Sequence, residues 1–299
     1  MRLAPRHLLL LLIFLSCRVW AAETVAVRLV GDEQGFSGQV LVKVDNLLRR
    51  ADPDLIFLAD NERYSSAQKR ILITIGGKGL KAAESANNET SVLAVLPPRQ
   101  VSDSYPVGAG RLLSMIHGDM PLGRVFNFVQ LMAGRKAGAV ALIAGPATQS
   151  RLAKIETAAG ERSIRLHVER VERETDVGPA VERSVQQSSL LLAIPDAVAH
   201  TAGTVPPLLL ISYRAGVPVI GYSESYLRAG AMAALYATPD QIAQQVMESV
   251  QAYRQGKSLP TVQSLKYFTV GVNTPVARSL GLVLPQAEEL ESRLRQMKE

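Results

Sequence analysis

Ile71-Leu72-Ile73-Thr74-Ile75-Gly76-Gly77-Lys78-Gly79 sets an unbroken apolar run against a glycine-rich turn. A short, β-branched run that stops at glycine reads as a strand covered on both faces, and such strands belong to parallel sheets clothed by helices. Residues 80–86 then read as helix and 91–96 as the next strand, stopped by Pro97-Pro98. Upstream, residues 25–30 form a strand that ends at Gly31-Asp32-Glu33. Val40, Val44, Leu47 and Leu48 follow at helical spacing, and 55–59 is a further strand after the turn Asp52-Pro53-Asp54. Strands alternating with helical or polar segments in this way predict an α/β layered domain.

The alternation restarts after the break Val107-Gly108-Ala109-Gly110. Helices are expected over 121–132, 149–159, 177–187 and 208–215, and strands over 139–144, 164–168, 190–194 and 217–222. Three of these strands close on Gly145-Pro146, Pro195-Asp196 and Tyr222-Ser223. Thr238-Pro239-Asp240-Gln241 marks a helix start: Thr238 caps, Pro239 suits the first turn, and Gln241 reaches back to complete a capping box. Gly256 is its natural stop, and 267–272 is a final strand. Residues 286–299 form an amphipathic helix with Leu290, Leu294 and Met297 apolar, and Glu289 and Glu291 each four residues before an arginine. Its expected place is on the protein's own surface.

The first 22 residues have a different character. Arg2 and Arg6 precede the apolar run 8–15, and small residues end the segment. Eight residues of helix reach about 12 Å, against ~30 Å of membrane hydrocarbon, so a secretory signal peptide over 1–21, cut after Ala21, is expected. Lipidation at Cys17 is the rival reading, although Phe14-Leu15-Ser16 fits a lipoprotein signal poorly. Cys17 is the only cysteine, so a chain cut after Ala21 has no disulfide, no thiolate metal site and no cysteine nucleophile. The net charge of +6 includes three arginines of this segment, and no basic stripe interleaved with aromatics points to nucleic acid.

Three motifs invite chemistry and fail on their neighbours. Gly77-x-Gly79-x-x-Ala82 follows a strand, but the next strand ends in Pro97-Pro98-Arg99 without the carboxylate that would hold a ribose. The better reading is a tight turn lining a cleft. Gly256-Lys257-Ser258 lacks the glycine that a phosphate loop needs at position 251, which is Gln. Gly221-Tyr222-Ser223-Glu224-Ser225 approaches a nucleophile elbow, yet its fifth residue is not glycine and no histidine follows His200. The histidines are scattered, with only Asp196 and His200 at ligand spacing, so a metal site is not expected. The residues favour binding over catalysis, with no cofactor.

A family likeness enters through Leu190-Leu191-Leu192-Ala193-Ile194-Pro195-Asp196, Gly216-Val217-Pro218-Val219-Ile220-Gly221, Ala229-Gly230-Ala231-Met232-Ala233 and Asn273-Thr274-Pro275-Val276-Ala277-Arg278-Ser279-Leu280-Gly281-Leu282. With these features in order, 119–285 resembles the substrate-binding proteins of ABC transporters with the type I periplasmic-binding-protein fold, in the group that includes tryptophan- and tyrosine-binding members. The resemblance implies two doubly wound parallel-sheet α/β lobes joined by a three-strand hinge. It places lobe one at 22–118 plus 238–262 and lobe two at 119–237 plus 263–285, leaving 286–299 as the tail helix. It also implies a small-molecule ligand and an ABC permease as partners; a periplasmic monomer is the expected form.

Ligands in open α/β sheets sit beyond the carboxyl ends of the strands. On that rule the candidate ligand residues are Asp32, Gly77, Lys78 and Arg99 in lobe one, and Asp196, Tyr222, Ser223 and Glu224 in lobe two. Lys78 and Arg99 would hold a ligand carboxylate, and Tyr222 and Ser223 would donate hydrogen bonds. Asp196→Ala is expected to weaken binding and spare the unliganded fold. The chain departs from the family at Asp196-Ala197, where Asp-Asn is frequent. The expected function is capture of a small polar organic solute, amino-acid-like among the candidates, for an importer. A sensor or accessory binding protein without an importer stays open, as does a secreted hydrolase resting on Ser223.

Overall fold

The computed structural model describes residues 24–58, 69–84, 90–98, 112–133 and 138–299. The expected leader, with Cys17, lies outside the described residues, as do Arg99 and the break at 107–110. Among the described residues two six-stranded sheets form.

The first sheet contains β1 (Val25–Gly31), β2 (Ile56–Phe57), β3 (Lys69–Ile75), β4 (Ser91–Val95), β5 (Leu112–Ile116) and β11 (Val262–Gln263), in the order β11-β5-β4-β3-β1-β2. All its pairings are parallel. The two-residue period of a strand sends Ile71, Ile73 and Ile75 of β3 to one face and Leu72 to the other. The first face is covered by α1 (Gly35–Ala51) and α9 (Pro239–Arg254), whose Val40, Val44, Leu48, Ile242, Val246 and Val250 complete the core. The second face packs against α2 (Gly76–Glu84) through Leu80 and Ala83.

The second sheet repeats the plan with β6 (Ala139–Ala144), β7 (Leu166–Arg170), β8 (Ser188–Leu192), β9 (Val219–Gly221), β10 (Ala233–Tyr236) and β12 (Thr269–Val272), in the order β12-β10-β9-β8-β6-β7. Its pairings are parallel except β10 with β12. One face carries α3 (Leu122–Ala133), α5 (Leu152–Gly160) and the tail helix α11 (Ala287–Gln296). The other carries α6 (Val177–Val185), α7 (Val205–Arg214) and α8 (Glu224–Ala229). The tail helix packs as expected: Leu290 and Leu294 are buried, each stabilising by roughly 1.5–3 kcal/mol relative to exposure. Short helices α4 (Pro146–Gln149) and α10 (Thr274–Ser279) complete the set.

Among the described residues the chain passes between the sheets at 117–121, 237–238 and 264–268. The outer two passages run side by side, His117 N–H donating to Gln263 (2.9 Å) and Leu265 N–H to Asp119 (3.4 Å). Met120 packs against the cores of both lobes. At the middle passage the capping box forms as read: Thr238 Oγ1 accepts from Gln241 N (3.2 Å), and Gln241 Oε1 accepts from Thr238 N (3.0 Å).

The differences from expectation are local. β5, β10 and β11 were not foreseen, nor were α4, α8 and α10. Residues 233–234 are both alanine, too small to announce a strand, and β11 has only two residues. Helix α2 starts at Gly76 rather than residue 80, because Gly76 turns the chain at φ +72° and the next amides are capped at once.

Candidate binding cleft

The two central strand pairs end in carboxylates with full hydrogen-bond duties. In lobe one, Asp32 follows β1 and accepts from the N–H groups of Gly77 (3.1 Å) and Lys78 (3.3 Å), at the start of the helix after the neighbouring strand. A side chain at Gly76 would overlap that carboxylate. In lobe two, Asp196 accepts from Thr148 N (2.9 Å), Val198 N (2.9 Å) and Ala199 N (3.1 Å) and is 6% exposed. Here a side chain at Gly145 would collide with it. Burial pushes Asp196 up, but the backbone bonds from Ala199, Val198 and Thr148 outweigh it and hold the carboxyl below its ordinary range.

Between the lobes, beyond these strand ends, lies a cavity of about 660 Å³, within the usual range for small-molecule sites. Lobe one contributes Phe36, Ser37 and Gln39 from the first turns of α1, and Leu96-Pro97 after β4. The passages contribute His117-Gly118-Asp119 and Ala237-Thr238-Pro239. Lobe two contributes Pro195, Tyr222 to Ser225, Arg228 and Tyr236. Phe36 is 48% exposed, an aromatic face offered to the cleft. Charges lining the cavity are paired: Glu224 with Arg228 at 3.0 Å on the lobe-two wall, and Asp119 of the first passage with Arg151 at 2.7 Å.

Of the candidate residues, Tyr222, Ser223 and Glu224 line this cavity, while Asp32, Gly77, Lys78 and Asp196 do not. Arg99 lies outside the described residues. The expectation that Asp196→Ala spares the fold is replaced, because removing it would strand three amide donors. Phe36, Ser37, Gln39 and Asp119 were missed. The strand-end rule stopped at Gly31-Asp32, and the cleft surface begins beyond the turn at Gly35, φ +65°.

Ser223 caps α8, its Oγ accepting from Tyr226 N at 3.1 Å, and among the described residues no histidine is bonded to it. Gly221 is required because a side chain there would meet the Tyr226 ring. Behind the wall, Tyr222, Tyr226 and His200 form a ring cluster with centroids 5.3–5.9 Å apart. Tyr226 Oη and His200 Nδ1 are 2.9 Å apart. Burial pushes His200 down to about 4 against the opposing charge of Asp196, so the imidazole is neutral at neutral pH. Burial likewise raises the Tyr222 and Tyr226 phenols, which remain hydroxyls. Among the described residues, Ser223 is thus a helix cap, and the nearby histidine of this wall bonds Tyr226.

No protein-family model matches this sequence, and no curated protein sequence matches it. Solved structures do. The ligand-free, open structure of a substrate binding protein with adhesive properties from Clostridium difficile superposes at TM-score 0.67 with 15% identity, covering 89% of this chain and 97% of that one. A conserved domain protein from Vibrio cholerae gives 0.60 with 19% identity over 91% and 98%. An ABC domain in complex with L-Trp from Streptococcus pneumonia gives 0.58 with 10% identity over 91% and 98%. Identities this low speak to architecture. With the two sheet orders and the paired passages, they establish that this chain has the type I periplasmic-binding-protein fold.

Proposed function

We propose that this chain is an exported solute-binding protein that takes a small polar organic molecule between its lobes and presents it to an ABC importer. One observation carries the reading: the cavity beyond the strand ends draws its walls from both lobes and from the passages that join them. A solute touching both walls favours the closed arrangement by its differential affinity for that state, which is how such a hinge is driven. Structural neighbours described as a substrate binding protein and as an ABC domain holding L-Trp support the same use of the fold. The apolar Phe36, Leu96, Pro97 and Tyr236 beside Ser37, Gln39, Ser223 and Thr238 suit a molecule with one apolar face and a polar rim. The leader-like residues 1–21 support export, and the capping role of Ser223 argues against a hydrolase.

Native mass spectrometry of protein taken from its host should reveal the co-purifying solute. Adding that solute at a hundredfold excess over Kd should stabilise the fold by ~2.7 kcal/mol, read as a rise in melting temperature. A broad solute screen without any rise would remove the import reading in favour of an accessory without a cleft-bound cargo.

A further inference from the structure

Two arginines of lobe two grip the passages between the lobes, and they do so differently. Arg124, 8% exposed, is saturated: it binds the Glu299 carboxylate (2.6 Å) and the Leu265 carbonyl (2.9 Å) and stacks on Phe268 at 4.8 Å. Arg151 stands between α4 and α5 and reaches the first passage by one hydrogen bond, Nη1 to Asp119 Oδ2 at 2.7 Å. A guanidinium has five N–H donors in a planar fork that matches a carboxylate with two bonds, so this single contact uses the group incompletely. The pair is also reachable, with side chains 17% and 16% exposed.

Its setting is a small arm of the cleft. A cavity of about 40 Å³ opens beside the main one, sharing Gly118, Asp119, Pro195 and Tyr222 with it. Apolar side chains such as Met120, Leu122, Phe128 and Ile220 wall it, and Asp119 and Arg151 are its charged lining. A space of that size admits a head group, not a whole solute, and its apolar walls raise the value of any charge pairing made inside. Asp119 is tied to the third passage as well, through Leu265 N–H on its carbonyl.

We infer that Asp119 holds the place of a solute's carboxylate on Arg151, and that the cleft selects small organic carboxylates by exchanging one for the other. The inference rests on the cleft reading above. An entering carboxylate forms the two-bond pair that Asp119 does not, and the displaced Asp119 loosens the first passage. Binding and hinge motion are thereby coupled at one residue.

The test uses benzoate and its neutral counterpart benzamide as probes, titrated calorimetrically into the purified full chain. Asp119→Asn keeps the side chain's size but removes the charge that competes for Arg151, leaving at most a weaker neutral bond, and should raise benzoate affinity at least tenfold while changing benzamide less than twofold. Adding Arg151→Gln to that variant should erase the gain for benzoate alone. An equal response of the two probes, or an Asp119→Asn protein with no gain for benzoate, overturns the inference. Either result leaves the cleft reading standing if other solutes still raise the melting temperature; a screen with no response at all removes that reading instead.

Discussion

Asp32 and Asp196 occupy matching places, each beyond the end of a central strand, but they cross the sheet in opposite directions. Asp32 reaches from the end of β1 to the helix after β3, whereas Asp196 reaches from the end of β8 to the amides after β6. Asp32 is half-buried with two bonds of 3.1 and 3.3 Å, and Asp196 is buried with three of 2.9 to 3.1 Å. Both sit where a ligand contact is expected, and both spend their oxygens on backbone donors that the turns would otherwise leave unpaired. A carboxylate at a strand end therefore braces the turns in this protein, and residues farther along the chain line the cavity.

The largest effect of removing either carboxylate is expected at Asp196. Asp196→Ala leaves buried N–H groups without an acceptor, each worth about 1–3 kcal/mol, so a loss of about 3 kcal/mol or more is expected in urea melts. A loss under about 0.5 kcal/mol, ordinary for surface changes, would return Asp196 to the ligand set.

The neighbouring His200 separates the lobes by pH. Its folded pKa of about 4 lies below the ordinary value near 6.5, so the unfolded chain binds the extra proton between these values. Stability from the buried neutral imidazole is thus present above pH ~6.5 and lost as pH falls toward 4, amounting to about 3 kcal/mol. His200→Gln should flatten the melting-temperature slope in that window. An unchanged slope would show that His200 titrates normally. Asp196 works in a lower window: its depressed carboxyl contributes above the unfolded value near 3.9 and is lost as pH falls further.

The smallest effect is expected in lobe one. Asp32→Ala removes two weaker bonds, one to a solvent-exposed turn, and should cost about 1–2 kcal/mol. A loss equal to that of Asp196→Ala would erase the difference between the lobes.

Much of this architecture was legible because buried strands and helix caps write themselves into neighbouring residues. Strands near 71–75, 91–95 and 139–144, the capping box at Thr238 and the stop at Gly256 all depend on short-range chemistry. β10 escaped because Ala233 and Ala234 carry little apolar signal and its place is set by β9 and β12. At the cleft, Tyr222 and Ser223 were legible as a strand end. Asp119 and Arg151 were not, since 32 residues separate them and only the tertiary fold brings them within 2.7 Å. Nor did sequence reveal that Asp196 was already occupied, because its donors at Thr148 and Ala199 are backbone groups common to every residue there.

Small-angle X-ray scattering tests the central claim, that one solute bridges both lobes. Solutes that raise the melting temperature should also shrink the radius of gyration, and Phe36→Ala on the lobe-one wall should weaken that contraction and the affinity together. A solute that stabilises the protein while leaving both its radius and its dependence on Phe36 unchanged would contradict binding between the lobes.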